Sequence, residues 1–142
     1  MPPDITLSAG PAISEGMTTI PDPNFVILYV ENVSASTAFY SELFGRPPAE
    51  SAPNFAMFAL SSGVTLGLWA RHDVKPATTA PSGASEICIM LPSVEAVGLL
   101  HAEWLGRGLT ILQPPTKMDF GHTFVAGDPD GHRLRVFVPA AP

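Results

Sequence analysis

Positive charge is scarce in this sequence. Seven Lys and Arg stand against thirteen Asp and Glu, for a formal net charge of -6. Such a chain lacks the basic footprint that nucleic acid or an anionic membrane surface requires, so neither is expected as a partner. Cysteine is scarcer still. Cys88 stands alone, which excludes an intramolecular disulfide and points to a reducing compartment, the cytoplasm. No apolar run reaches the roughly 18 residues of a membrane-spanning helix. The opening "MPPDITLSAGPAISEGMTTIPDPN" lacks the basic start and apolar stretch of a secretory signal. There is no G-x-S-x-G elbow, no glycine-rich phosphate loop and no H-E-x-x-H. The commonest hydrolase, nucleotide and zinc-protease chemistries are therefore without their motifs.

What is present is apolar residue in quantity. The chain is 46% hydrophobic and 14% charged over 142 residues, which suits a packed core in one domain or two small fused modules. A chain of this size buries roughly two-thirds of its unfolded surface, so it needs no covalent staples. Residues 1–23, rich in Pro, Ser, Thr and Gly, are expected to form an N-terminal tail or arm before a single domain at 24–142. Met17 is an alternative start.

The domain repeats itself. "FVILYVENVSASTAFYSELFG" (25–45) aligns without a gap on "EICIMLPSVEAVGLLHAEWLG" (86–106). Each copy predicts a strand, then a helix capped by Asn32 or Ser34 in one copy and Ser93 in the other, closed by Gly45 or Gly106. Phe39, Leu43 and Phe44, like Val97, Leu100 and Trp104, recur at helical spacing. Hairpins follow at 54–70 and 121–138, the second with the strong turn signal "DPDG". Pro47, Pro48, Pro114 and Pro115 are assigned to connections, and 71–85 has the composition of a linker. The fold class predicted is α+β: two βαβββ modules, 25–70 and 86–138, forming a curved mixed sheet with helices on the convex face.

Four predicted strands alternate in the same way. Val26, Leu28 and Val30; Val64, Leu66 and Leu68; Ile87, Ile89 and Leu91; and Leu134, Val136 and Val138 make aliphatic faces that suit packing under a helix. Between them stand Phe25, Ile27 and Tyr29; Thr65, Gly67 and Trp69; Glu86, Cys88 and Met90; and Arg133, Arg135 and Phe137. A mixed face repeated four times predicts a concave ligand surface with aromatic, carboxylate and guanidinium groups.

The paired modules, the helix opening "VENVSASTAFYSELFG" and the closing "DPDG" before the last strand resemble the vicinal oxygen chelate superfamily, also called the glyoxalase/bleomycin-resistance/dioxygenase family. The segments "LYVENVSASTAFY", "SSG…LW", "SEICIMLP" and "FGHTFVAGDPDGHRLRV" look most like its phenazine-antibiotic resistance proteins, which sequester a drug instead of transforming it. The resemblance implies a homodimer. It also places the metal ligands of the family's enzymes at Phe25, Gly67, Glu86 and Arg135. Of these only Glu86 could ligate a cation, so no metal, no cofactor and no catalytic residue is expected.

The function expected is non-enzymatic sequestration of a planar aromatic molecule, with a metal-dependent lyase or dioxygenase as the alternative and a ligand-free assembly module as a third reading. Trp69 offers a stacking face. Arg135 could meet a ligand carboxylate or pair with Glu86. Phe25, Tyr29, Cys88, Met90 and Phe137 would complete the site. Cys88 has no basic neighbour to activate it. His72, His101 and His132 carry no catalytic pattern, and His122, near Asp119, is the histidine to inspect.

Overall fold

The computed structural model describes residues 20–141. The predicted tail therefore lies outside the described residues, apart from an exposed stretch at 20–23.

Strand β1 (Phe25–Val30) leads into helix α1 (Val33–Phe44). Asn32 Oδ1 accepts the Ala35 N–H at 2.9 Å and starts the helix. Gly45, at φ +67°, ends it in the left-handed region that a side chain would disfavour. Strands β2 (Glu50–Ala52), β3 (Phe55–Ala59) and β4 (Thr65–Ala70) follow, and a single 3-10 turn (Arg71–Asp73) opens the linker. The second module repeats the plan with β5 (Glu86–Met90), α2 (Val94–Gly106), β6 (Thr110–Met118), β7 (Gly121–Gly127) and β8 (Arg133–Pro139). Ser93 Oγ caps α2 by accepting the Ala96 N–H at 3.0 Å. Helix α2 runs through Gly106, so the left-handed residue that follows it is Gly108, at φ +85°, two positions later than predicted.

Each module forms its own four-stranded mixed sheet, ordered β1-β4-β3-β2 and β5-β8-β7-β6. The first and last strands of each module pair in parallel, and the other neighbours are antiparallel. One prediction needs correction. Pro114 and Pro115 do not lie in a connection but inside β6, where the register with β7 shifts between Gln113 and Thr116. Strand β6 is the sheet edge, where a residue without an N–H leaves no ladder bond unmade.

The aliphatic alternation does what it predicts. Leu28, Val30, Leu66 and Leu68 join Tyr40 and Phe58 in a core that continues through Val97, Trp104, Phe124, Leu134 and Val136 of the second module. The modules therefore share one core along their helix-covered sides.

A buried carboxylate joins them. Asp128, 8% exposed, accepts the N–H groups of Asp130 (2.9 Å) and His132 (2.8 Å) on Oδ1 and the Tyr40 hydroxyl (2.7 Å) on Oδ2. Burial and the Asp128 charge hold the Tyr40 phenol far above its usual range, so it stays a donor. Around it, His132 Nε2 lies 3.2 Å from the Tyr29 carbonyl, and the Glu31 N–H reaches Asp130 Oδ1 at 3.4 Å. Glu31 also accepts from Arg71 (2.5 Å) and Ser82 (3.0 Å), which tethers both ends of the linker to the end of β1.

Tyr40→Phe removes one of three donors to this carboxylate without changing shape. It should destabilise the fold by about 1.5–3 kcal/mol, the range for a hydrogen bond to a charged group. Urea unfolding should give a lower midpoint with an unchanged slope, and an unchanged midpoint would mean that the junction contributes nothing.

Candidate functional site

Strands expose alternate residues on opposite faces, so once the aliphatic residues pack under α1 and α2, the others form the outward faces. On the first module Tyr29 lies beside Trp69 and Ile27 beside Gly67 in the parallel β1–β4 ladder. Strand β3 adds Phe55 beside Trp69 and Met57 beside Gly67. The Trp69 ring meets Tyr29 and Phe55 edge-on, both at 6.4 Å between centroids and at 80° and 84°. Three aromatic rings thus cross three adjacent strands, in the geometry that ring quadrupoles favour. Gly67 is what lets the surrounding side chains lie low. A Cβ there would stand 3.0 Å from Phe25, 3.1 Å from Phe55 and 3.2 Å from Ile27.

The second module carries charge at the equivalent place. Arg135 Nε donates to Glu86 Oε1 at 2.9 Å, and Nη1 donates to Thr123 Oγ1 at 3.3 Å. Thr123 is fully buried and gives its own proton to the Val136 carbonyl at 2.8 Å. The guanidinium carbon lies 5.6 Å from the Phe120 ring centre, within cation–π range. Phe120 in turn meets Phe137 edge-on at 6.1 Å. Cys88 Sγ points at the same Glu86 oxygen, at 3.8 Å. Contrary to the sequence expectation, Cys88 has a basic neighbour, Arg135 across the ladder, but partial burial and the Glu86 carboxylate outweigh it and push the thiol above its usual range.

The predicted residues therefore gather in two sets. Phe25, Tyr29 and Trp69 meet on one module. Glu86, Cys88 and Arg135 meet on the other, with Met90 beside Phe137 at the strand ends. Among the described residues no hydrogen bond, ion pair or ring contact joins the two sets within one chain. Four neighbours escaped the sequence reading. Phe55, Met57 and Thr123 follow the same alternation in β3 and β7 and could have been found by it. Phe120 sits in the β6–β7 turn and carries no periodic signal.

The histidines lie elsewhere. His122 faces the helix side and lines a separate groove with Ser93, Lys117 and Pro139. His101 packs edge-on against Phe124, His132 is buried at the module junction, and His72 neighbours Glu31.

The four positions that would hold a metal in the family's enzymes do not fit one. Phe25 and Gly67 offer no lone pair and are packed together. Arg135 is a cation, and it already occupies the one carboxylate, Glu86. Among the described residues, no three His, Cys, Asp or Glu side chains come together in a way that could hold a metal ion.

A family model described as the Glyoxalase/Bleomycin resistance protein/Dioxygenase superfamily matches residues 23–136. The chain is 35% identical over 131 residues to the phenazine antibiotic resistance protein EhpR of Enterobacter agglomerans, covering 90% of this chain and 94% of that one. It is 45% identical to a protein of Agrobacterium tumefaciens solved by solution NMR, with a TM-score of 0.77 over 86% of this chain and all of that one. A crystal structure of a glyoxalase/bleomycin resistance protein/dioxygenase from Nocardioides shares the fold at 20% identity, with a TM-score of 0.74 over 87% of each chain.

The Cys88 environment has a measurable consequence. Iodoacetamide should alkylate Cys88 more slowly than a free thiol at neutral pH, with the rate rising only above the usual thiol range of about 8.5. Glu86→Gln removes the carboxylate and should accelerate the reaction several-fold. A rate already maximal at neutral pH would contradict the geometry.

Proposed function

The chain belongs to the glyoxalase/bleomycin resistance/dioxygenase superfamily, and from that premise we propose that it binds and sequesters a planar aromatic antibiotic of the phenazine class without transforming it. The observation that carries this reading is the aromatic row Tyr29–Trp69–Phe55 on an outward sheet face. Trp69, flanked edge-on by Tyr29 and Phe55, offers an aromatic surface to a flat ligand, and Phe25 extends the same face over Gly67. The identity to a phenazine resistance protein supports the ligand class. The metal-dependent lyase or dioxygenase reading lacks a donor set at the positions where the family's enzymes would carry one.

Two features support a homodimer. Each face leaves large apolar side chains open: Phe25 is 46% exposed, Ile27 39%, Met90 64% and Phe120 45%. Among the described residues the outer edges of β1 and β5 are also unpaired, since each bonds only its parallel neighbour. A second copy that sets the first module of one chain against the second module of the other covers both. It also brings the aromatic set and the charged set to one ligand, with Met90, Phe137 and Cys88 as walls. The chain's single, free cysteine suits work in the cytoplasm.

Sedimentation at micromolar concentration should give twice the 15.0 kDa chain mass. A monomer at every concentration would remove the shared cup. Phenazine titration should quench tryptophan fluorescence, with a residual signal from buried Trp104. Trp69→Ala should weaken binding by about 1–3 kcal/mol while the fold survives, as expected for the loss of an aromatic anchor. Unchanged affinity in that variant would place the ligand elsewhere.

A further inference from the structure

The groove lined by His122 belongs to neither the aromatic set nor the charged set. It lies on the helix side of the second sheet. There Lys117 and His122, cross-strand partners in the β6–β7 ladder, line one hollow with the start of α2 and the end of β8. Its volume is about 670 Å³, within the roughly 300–1,000 Å³ of small-molecule sites. Val94, Met118, Val138 and Pro139 give it apolar walls.

The ionisable side chains of this groove have one sign. Lys117 and His122 line it, and no Asp or Glu does, in a chain whose thirteen acidic residues outnumber its seven Lys and Arg. The nearest carboxylates in sequence are Glu95, in the first turn of α2, and Asp119, in the β6–β7 turn. Neither lines the groove, and neither pairs with Lys117. Among the described residues, the Lys117 ammonium and the His122 imidazole make no side-chain hydrogen bond and no ion pair. Both can donate: the ammonium has three N–H groups, and a histidine ring keeps at least one in either protonation state. Residues directly opposite in an antiparallel ladder have Cβ atoms roughly 4.5–5.5 Å apart on one face, so a single small acceptor can meet both.

We infer that this groove binds a small organic anion, a monocarboxylate carrying a short apolar chain. The carboxylate accepts from Lys117 and His122, and the chain lies along Val94, Met118 and Val138. Each half of the site needs the other. Lys117 is exposed, so solvent screens its charge and a bare anion gains little from it. The apolar walls supply the remaining affinity by removing the chain from water. The groove and Arg135 lie on opposite faces of the same sheet, since His122 alternates with Thr123, the residue that meets Arg135. This site is therefore separate from the proposed phenazine surface and stands whether or not that surface binds.

The test titrates the full chain with hexanoate, hexanamide and acetate at neutral pH and follows the Met118 methyl and His122 ring resonances by NMR. Hexanoate should shift both resonances saturably. Hexanamide has the same shape without the charge and should bind about fivefold more weakly, the scale of an exposed charge pair. Acetate lacks the chain and should bind about tenfold more weakly or worse, the scale of two buried methylenes. Lys117→Gln should weaken hexanoate about fivefold, and Lys117→Arg should restore most of that loss. Both variants should respond to phenazine as the parent does, because Lys117 is no part of that surface. Equal affinity for hexanoate and hexanamide overturns the inference, as does acetate binding as tightly as hexanoate. So does a Lys117→Gln variant that holds hexanoate unchanged. Shifts confined to the outward face, or none that saturate at Met118 and His122, overturn it too, and leave the proposed function untouched.

Discussion

The buried Asp128 carboxylate is the constraint on which the arrangement depends. A carboxylate out of water is costly unless donors surround it. Here two amides of its own turn and the Tyr40 phenol meet that need. The amide bonds shape the turn that launches β8, and the phenol bond anchors that turn to α1 of the other module. Strand β8 therefore enters between β5 and β7 in a fixed register, with Arg135 beside Cys88 and close to Glu86. A slip of one residue would turn Arg135 toward the core and Val136 toward solvent. The chemistry of the outward face follows from where one turn is tied down.

Strands β1, β4, β5 and β8 and both helices were legible in the sequence because their burial is one-sided. Leu134, Val136 and Val138 alternate with Arg133, Arg135 and Phe137, and a sheet with a helix on one face imposes that period directly. The edge strands β2 and β6 were not legible. Strand β2 has three residues, all exposed, so it has no alternation to display. Strand β6 contains two prolines, which argue against a strand until its edge position is known. Nothing in the helical spacing around Tyr40 marks it as a donor to a carboxylate. Its partner lies 88 residues away, and local pattern carries no information about that separation. The ion pair between Glu86 and Arg135 was legible as a possibility, since parity put both residues on one face. The Thr123 and Phe120 contacts that orient the arginine were not.

The two modules solve one packing problem in opposite ways. At corresponding places the first has Phe25 and Gly67, and the second has Glu86 and Arg135. In the first, the absence of a side chain at Gly67 lets Phe25, Phe55 and Ile27 close over the backbone. In the second, a long side chain at Arg135 reaches Glu86 and fills the same region with charge that is satisfied internally. A gapless repeat of backbone has thus diverged into one apolar aromatic face and one polar face that carries Glu86 with Arg133 and Arg135. The proposed ligand, a flat molecule with a polar arm, would use both faces, and among the described residues no hydrogen bond, ion pair or ring contact joins them within one chain.

These side chains are held by contacts within the protein. Trp69 is flanked by Tyr29 and Phe55, and Arg135 is fixed by Glu86 and Thr123 and lies near Phe120. Apart from Phe120, they stand on strands instead of loops, so little conformational entropy remains to be lost on binding. Preorganisation of this kind serves a binder differently from an enzyme. An enzyme gains nothing from holding its substrate more tightly than its transition state, because ground-state affinity deepens the well from which the reaction must climb. A protein that neutralises its ligand by retaining it has no such upper limit. Under the proposed function, rigid aromatic rings and an ion pair fixed in advance would strengthen ground-state binding, the quantity on which sequestration depends.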